Sequence, residues 1–355
     1  MNAFVRVAWW VLLVTLAALL GWGAQTLGIP GGWFVAAVVV GLGAGLVRPR
    51  APRVARPVLA VPQAVVGVLV GASIRPEALP DLIRFFPAIL GVLVITVAFS
   101  TVAGIVLARF GPLSRETATL GTLPGGASAM TVLSVEAGAD TAVVALMQYL
   151  RLVLVVGTSA AVAAFLAPHG APGHASTGLG FAVPDGFTLV LTPALAVVGV
   201  VLGRLVRLPT AALLGPMILC LTVSALGWAH PVWFPGVAQA AYIILGLYVG
   251  QLFDRASLVQ ARKLLPLLVA NILVLLVFCA LVGLGFAALV GASPLTGYLA
   301  TSPGGGDTIA IIALGSGADL SLVFTIQMFR ALAILFSGPF LARAILKFTG
   351  ARHDE

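Results

Sequence analysis

Ten apolar stretches of 16 to 28 residues recur along this chain, and segments of that length suit one solvent. A bilayer core is about 30 Å thick and offers no water to backbone amides, so a spanning segment must satisfy its own hydrogen bonds, as a helix of about 20 residues does. Charge is correspondingly scarce: 8% of 355 residues, against roughly 25% in a soluble domain. The pattern predicts an all-α integral membrane protein. A net charge of +8 would suit a nucleic acid, yet the basic residues gather at the ends of apolar stretches, where they report topology. No nucleic-acid partner is expected. Cys220 and Cys279 lie inside apolar stretches and read as small hydrophobes rather than a disulfide pair.

The stretch Leu-Pro-Gly-Gly at 123–126 returns as Ser-Pro-Gly-Gly at 302–305, an offset of 179. Held without a gap from 120 to 151, that offset gives 11 identities in 32 positions. The chain therefore reads as two copies of one unit: a first membrane repeat over 1–170, a linker over 171–185 and a second repeat over 186–355. Apolar segments fall at 7–24, 32–47, 57–74, 85–108 and 140–167, then at 187–203, 211–228, 236–252, 265–290 and 319–345. Arg6 ahead of an apolar run with small residues at 21–24 resembles a signal peptide. Because 7–24 maps onto 186–203 at the same offset, the segment is expected to be retained.

Between the fourth and fifth segments of each copy lies a stretch rich in Gly, Pro, Thr and Ser, 117–138 and 296–317. If it re-enters without crossing, each copy has five helices and the second copy is inverted; if it crosses, the copies are parallel. Cytoplasmic loops favour Lys and Arg. Re-entry puts 15 basic residues inside and only Arg75 and Arg84 outside, whereas crossing gives a split of 10 to 7. Two inverted-topology repeats of five transmembrane helices, each with a re-entrant Pro-Gly-Gly segment, is the expected fold. Both termini would be cytoplasmic, in the inner (plasma) membrane, with the linker external.

Irregular backbone at membrane depth must be buried in protein or line a polar cavity. Gly125 and Gly126, and Gly304, Gly305 and Gly306, are thus candidate substrate contacts, each beside a short helix whose free N–H groups suit an anion. The alternative is a loop merely packed between helices. Arg151 and Arg330 lie about 16 Å along their helices, near mid-membrane, with Gln148 and Gln327 on the same face three residues earlier. They can bind a carboxylate bidentately or be held structurally, by carbonyls or acids. Asp140 and Asp319 begin helices and read first as N-caps. Together with Glu136 and Asp307, which have no acidic counterpart in the other copy, they are the candidates for ion coupling. The spacings Gly67/Gly71 and Gly246/Gly250 read as close-packing motifs. His169, His174, His230 and His353 are scattered, so no metal site or cofactor is expected.

The paired Pro-Gly-Gly segments, each followed by Gly-Ala-Asp and Gln-x2-Arg, together with Leu208, Pro209, Ala212, Leu213, Leu214, Gly215 and Pro216, resemble the AbrB-type duplicated membrane family over nearly the whole chain. Its members carry labels of a regulator of gene expression or of an ammonia monooxygenase. The layout is also similar to that of the sodium-coupled glutamate and citrate symporters. The expected function is secondary transport of a small organic anion by alternating access, coupled to H+ or Na+, and not catalysis. The alternative is a membrane-embedded ligand sensor or regulator; an oxygenase is disfavoured by the scattered histidines. The expected partners are the bilayer, a small anionic ligand and, for assembly, a second copy in a homodimer.

Overall fold

A computed structural model describes residues 3–48, 52–74, 80, 84–125, 130, 133–135, 137–166, 186–208, 210–234, 236–253, 259 and 261–348. These residues form helices, turns and irregular connections, with no strand among them. In chain order the helices are α1 (Ala3–Thr26), α2 (Gly32–Val47), α3 (Ala60–Ser73, preceded by the 3-10 turn Arg56–Leu59), α4 (Phe86–Phe110), α5 (Arg115–Thr122), α6 (Thr141–Leu166) and α7 (Gly186–Leu205). There follow α8 (Ala211–Ala225), α9 (Val237–Gly250), α10 (Leu265–Val290), α11 (Pro294–Thr301), α12 (Gly306–Ser316) and α13 (Leu320–Phe348). Among the described residues, six helical stretches are long and apolar enough to cross a membrane: Phe4–Thr26, Arg56–Ser73, Phe86–Phe110, Thr141–Leu166, Gly186–Leu205 and Leu265–Val290. The protein is a multi-pass, all-helical membrane protein.

The duplication carries through to the helix bounds. Shifted by 179, α5 falls on Pro294–Thr301, which is α11, and the start of α6 falls on the start of α13. Two positions in one connection keep their backbone conformation without glycine. Gly28 and Gly31, between α1 and α2, have φ 71° and 66°, and their counterparts Arg207 and Thr210 hold φ 57° and 48° in the same left-handed region.

The chain divides into two compact units, each drawn from both halves of the sequence: 1–84 with 156–255 and 307–322, and 85–155 with 256–306 and 323–355. In the first unit, helices of one copy pack on helices of the other. Gly246 abuts the Phe34 carbonyl and Gly250 the Val38 carbonyl, so numbers rise together along α9 and α2. Gly67 abuts the Leu213 carbonyl and Gly71 the Met217 carbonyl, and α3 and α8 run together likewise. These are the same two contacts with the copies exchanged, as a local two-fold relation requires. Helices in lipid gain by such backbone approach, since apolar side chains alone distinguish little between lipid and protein. Gly250→Leu would drive a side chain into the Val38 carbonyl. A loss of about 1 to 3 kcal/mol is expected, read as a lower melting temperature, while Gly43→Leu, at a position with open space, should leave it unchanged.

In the second unit, α5 packs on α4 and α11 on α10, and α4 in turn meets α10. Phe99 and Phe278, equivalent at the offset of 179, stack with ring centroids 3.6 Å apart and planes 5° apart. A residue stacked on its own counterpart lies beside a local two-fold axis.

Candidate functional site

The short helices α5 and α11 begin alike and end alike. The Ser114 hydroxyl accepts from the Thr117 amide at 3.2 Å, and the Ser293 hydroxyl from the Thr296 amide at 3.2 Å, both N-caps. Each helix stops ahead of a proline, which has no amide hydrogen and disfavours helical backbone in the residue before it. The Gly125 amide then donates back to Leu123 O at 2.8 Å, and that of Gly304 to Ser302 O at 2.8 Å, closing tight turns over Pro124 and Pro303. The last carbonyls of such a helix have no intrahelical donor.

Two side chains from the following long helix supply the donors. Gln148 Nε2 donates to the carbonyls of Leu120, Gly121 and Leu123 at 3.0, 3.2 and 3.0 Å. Arg151 Nη1 donates to Thr122 O at 3.4 Å and Leu123 O at 2.9 Å, and Nη2 to Gly125 O at 3.3 Å and Gln148 Oε1 at 2.7 Å. The second copy repeats this bond for bond. Gln327 Nε2 reaches Leu299, Ala300 and Ser302 at 2.9, 3.4 and 3.0 Å. Arg330 Nη1 reaches Thr301 and Ser302 at 3.2 and 2.7 Å, and its Nη2 reaches Gly304 O at 3.0 Å and Gln327 Oε1 at 2.5 Å. Three residues between Gln and Arg put both on one helix face, so one side chain orients the other while both grip the broken end.

Arg151 is 6% exposed and Arg330 4%. Among the described residues, all hydrogen bonds of both guanidinium groups go to carbonyl and amide oxygens. Their charge is met by the negative ends of α5 and α11, each equivalent to about half an electron, and they lie close enough to repel one another. Each guanidinium has five N–H groups, and four are engaged by these bonds. The fifth differs in consequence: Arg151 Nε is buried without a partner.

The remaining sequence candidates divide by position. Gly125 and Gly304 contribute carbonyls to the cradles; Gly305 precedes α12 and Gly306 begins it. Gly126 and Glu136 lie outside the described residues. Asp140 Oδ1 accepts from the amides of Ala142 and Val143 at 3.0 and 3.1 Å, and Asp319 Oδ1 from Ser321 and Leu322 at 2.9 and 3.2 Å, which makes both helix caps. Asp307, in the first unit, accepts from the Thr308 amide at 2.9 Å and from the Gln63 side chain. The described residues hold no group of three His, Cys, Asp or Glu able to bind a metal. One polar contact comes from a residue outside the motifs. Asn271 donates to the Thr122 hydroxyl at 3.1 Å, tying α10 to the end of α5, and its signal was a lone amide inside the apolar stretch 265–290.

A family model described as "Transition state regulatory protein AbrB" matches residues 33–346. The chain is 32% identical over 349 residues to "Putative regulator AbrB" of Escherichia coli (strain K12), covering 97% of this chain and 98% of that protein. It is 24% identical over 369 residues to "Uncharacterized protein YhjN" of Bacillus subtilis (strain 168), covering 98% of this chain and 95% of the relative.

Proposed function

The chain belongs to the AbrB family, and from that premise we propose that it is a secondary transporter of a small organic anion, working by alternating access between two inverted five-helix repeats. The observation that carries the reading is the pair of Gln–Arg cradles, each holding a broken helix end with a buried cation whose bonds, among the described residues, include no carboxylate. Paired broken helices from two repeats, with buried charge beside them, are the equipment of transporters in which helix ends meet a charged substrate.

The packing of the first unit supports inversion. With α2 and α3 taken as consecutive spans that cross in opposite directions, α9, the counterpart of α3, runs alongside α2 with numbers rising together. α9 therefore runs against α3, as an inverted copy must. With inversion, the segments holding α5 and α11 enter the membrane and turn back at Pro124 and Pro303, both termini are cytoplasmic, and the protein resides in the inner (plasma) membrane.

Arg151 is the better substrate contact of the two. Its Nε is unpartnered and its Nη2 holds Gly125 O only at 3.3 Å, so Nε and Nη2 form a fork for a carboxylate once that weak contact is released. Arg330 is held more tightly, with contacts at 2.5, 2.7 and 3.0 Å, and serves as the fixed cation. Gln148 and Gln327 orient the two arginines, and the turns at Gly125, Gly304, Gly305 and Gly306 let the anion approach backbone. Asp140 and Asp319 are occupied as caps, which leaves Asp307, with Glu136, to carry H+ or Na+ coupling.

The printed name of the Escherichia coli relative favours a second reading, a ligand sensor that binds the same anion without moving it. Both readings require anion binding. Small mono- and dicarboxylates should raise the melting temperature of the detergent-purified protein, while their uncharged amides should not. Equal shifts with acids and amides, or no shift across the acids, would remove the anion from the account.

A further inference from the structure

We propose that the N-terminus of α2 holds a binding site for one small monovalent anion, of the size of chloride or of a one- or two-carbon carboxylate. A cavity of about 40 Å³ lies at the turn between α1 and α2, lined by Gln25, Gly31, Trp33, Tyr242 and Gly315 among others, all within the first unit. That volume holds about three water-sized atoms. Its lining is rich in donors. The first amides of a helix have no intrahelical partner, and here no side chain caps them. The Gly32 amide turns back to Ile29 O at 3.0 Å, and those of Phe34 and Val35 to Gly31 O, which leaves the Gly31 and Trp33 amides without a bond among the described residues. Gln25 Oε1 accepts from Trp33 Nε1, so the Gln25 amide nitrogen is left to donate. Gly315 keeps the Gly31 amide open, since a Cβ there would come 2.8 Å from Gly31 N.

Two further observations point to an anion. Tyr242 lies about one turn before Gly246, which abuts the Phe34 carbonyl, so it stands at the level of the α2 N-terminus, and it lines the cavity at only 5% exposure. Its hydroxyl has no hydrogen-bond partner among the described residues, and a buried hydroxyl left in that state is costly. The second observation comes from the duplication. The position equivalent to Tyr242 at the offset of 179 is Gln63, whose side chain donates to the Asp307 carboxylate. One copy meets this donor with a carboxylate of its own chain; the other leaves it to a ligand. The ligand must be an acceptor, and the partial positive charge at a helix N-terminus favours an anion there. None of the described residues lining the cavity is acidic or basic, so about half a charge from the helix has to serve, which suits one negative charge better than two. The site uses none of the cradle residues and does not rest on the transport reading.

The test uses the full chain purified in neutral detergent and sodium gluconate, an anion too large for the cavity. Sodium chloride, formate or acetate is then exchanged in at constant ionic strength while the melting temperature is followed. At least one of the three should raise it saturably, as a ligand of the folded state does, and the strongest of them becomes the probe. Tyr242→Phe, which removes only the hydroxyl, should weaken the apparent affinity for that probe about tenfold or more. Gly315→Ala should abolish the rise, because the added methyl group closes the Gly31 amide, whereas Gly43→Ala, at a position with open space, should not. Arg151→Lys, which alters a cradle that shares no partner with this site, should leave the affinity within about twofold. A saturable rise that survives Tyr242→Phe unchanged, or that disappears in Arg151→Lys, would put the anion elsewhere and overturn the site. So would the lack of a saturable rise with all three anions.

Discussion

Arg330→Leu should lower the melting temperature by on the order of 10 °C, or prevent folded protein from accumulating. The side chain donates to three backbone carbonyls and one amide oxygen at a site only 4% exposed. Leucine fills the space but leaves those acceptors in a place where water is scarce. Each orphaned acceptor costs about 1 to 3 kcal/mol, so a total of roughly 4 kcal/mol or more is expected, and a protein of this size converts that into a shift of about the stated size. Arg330→Lys should lose less, because an ammonium keeps the charge at the helix end, yet it cannot span Thr301, Ser302 and Gly304 at once. A melting temperature unchanged in Arg330→Leu would mean that the cradle does not hold the α11 end.

Arg151→Lys should weaken binding of a stabilising carboxylate about 10- to 100-fold, the range of hydrogen bonds to charged groups at ~1.5 to 3 kcal/mol. Its effect on stability should be well below that of Arg330→Leu. The two arginines occupy equivalent places, so equal effects are the simple expectation; the difference rests on the unpartnered Nε and the 3.3 Å contact to Gly125 O. Lysine has no planar fork, and the side-on grip on a carboxylate is lost with it. Isothermal titration with the carboxylate that best stabilises the wild type reads the change. Unchanged affinity in Arg151→Lys together with a loss in Arg330→Lys would exchange the two roles.

Helix positions were legible because an apolar run bounded by Gly, Pro or a basic residue has few other uses in a membrane chain. Stretch 265–290 coincides with α10 (Leu265–Val290) and 32–47 with α2 (Gly32–Val47). The repeat added a second reading of every element, and the spacings Gly67/Gly71 and Gly246/Gly250 announced close approach. What they approach was not legible, since a carbonyl such as Val38 O belongs to every residue and leaves no mark in sequence. The same limit hid the grip on the arginines. Gln148 and Arg151 could be put on one helix face, but whether that face met a substrate, an acid or a helix end depended on where backbone from 25 to 29 residues earlier returned. Asp307 shows the converse: its counterpart Ser128 identified it as unusual, yet its Gln63 partner lies in the other copy, beyond any local pattern.

Transport itself is tested most directly by counterflow in proteoliposomes loaded with the carboxylate that gives the largest thermal shift. Labelled carboxylate outside should accumulate transiently in vesicles holding the wild-type chain. Accumulation should be lost in Arg151→Lys vesicles in which folded protein is verified, and should depend on a proton or sodium gradient when net uptake is followed. Saturable binding of the same carboxylate without any accumulation, in vesicles whose protein is folded and oriented both ways, would contradict the transporter and leave a sensor in its place.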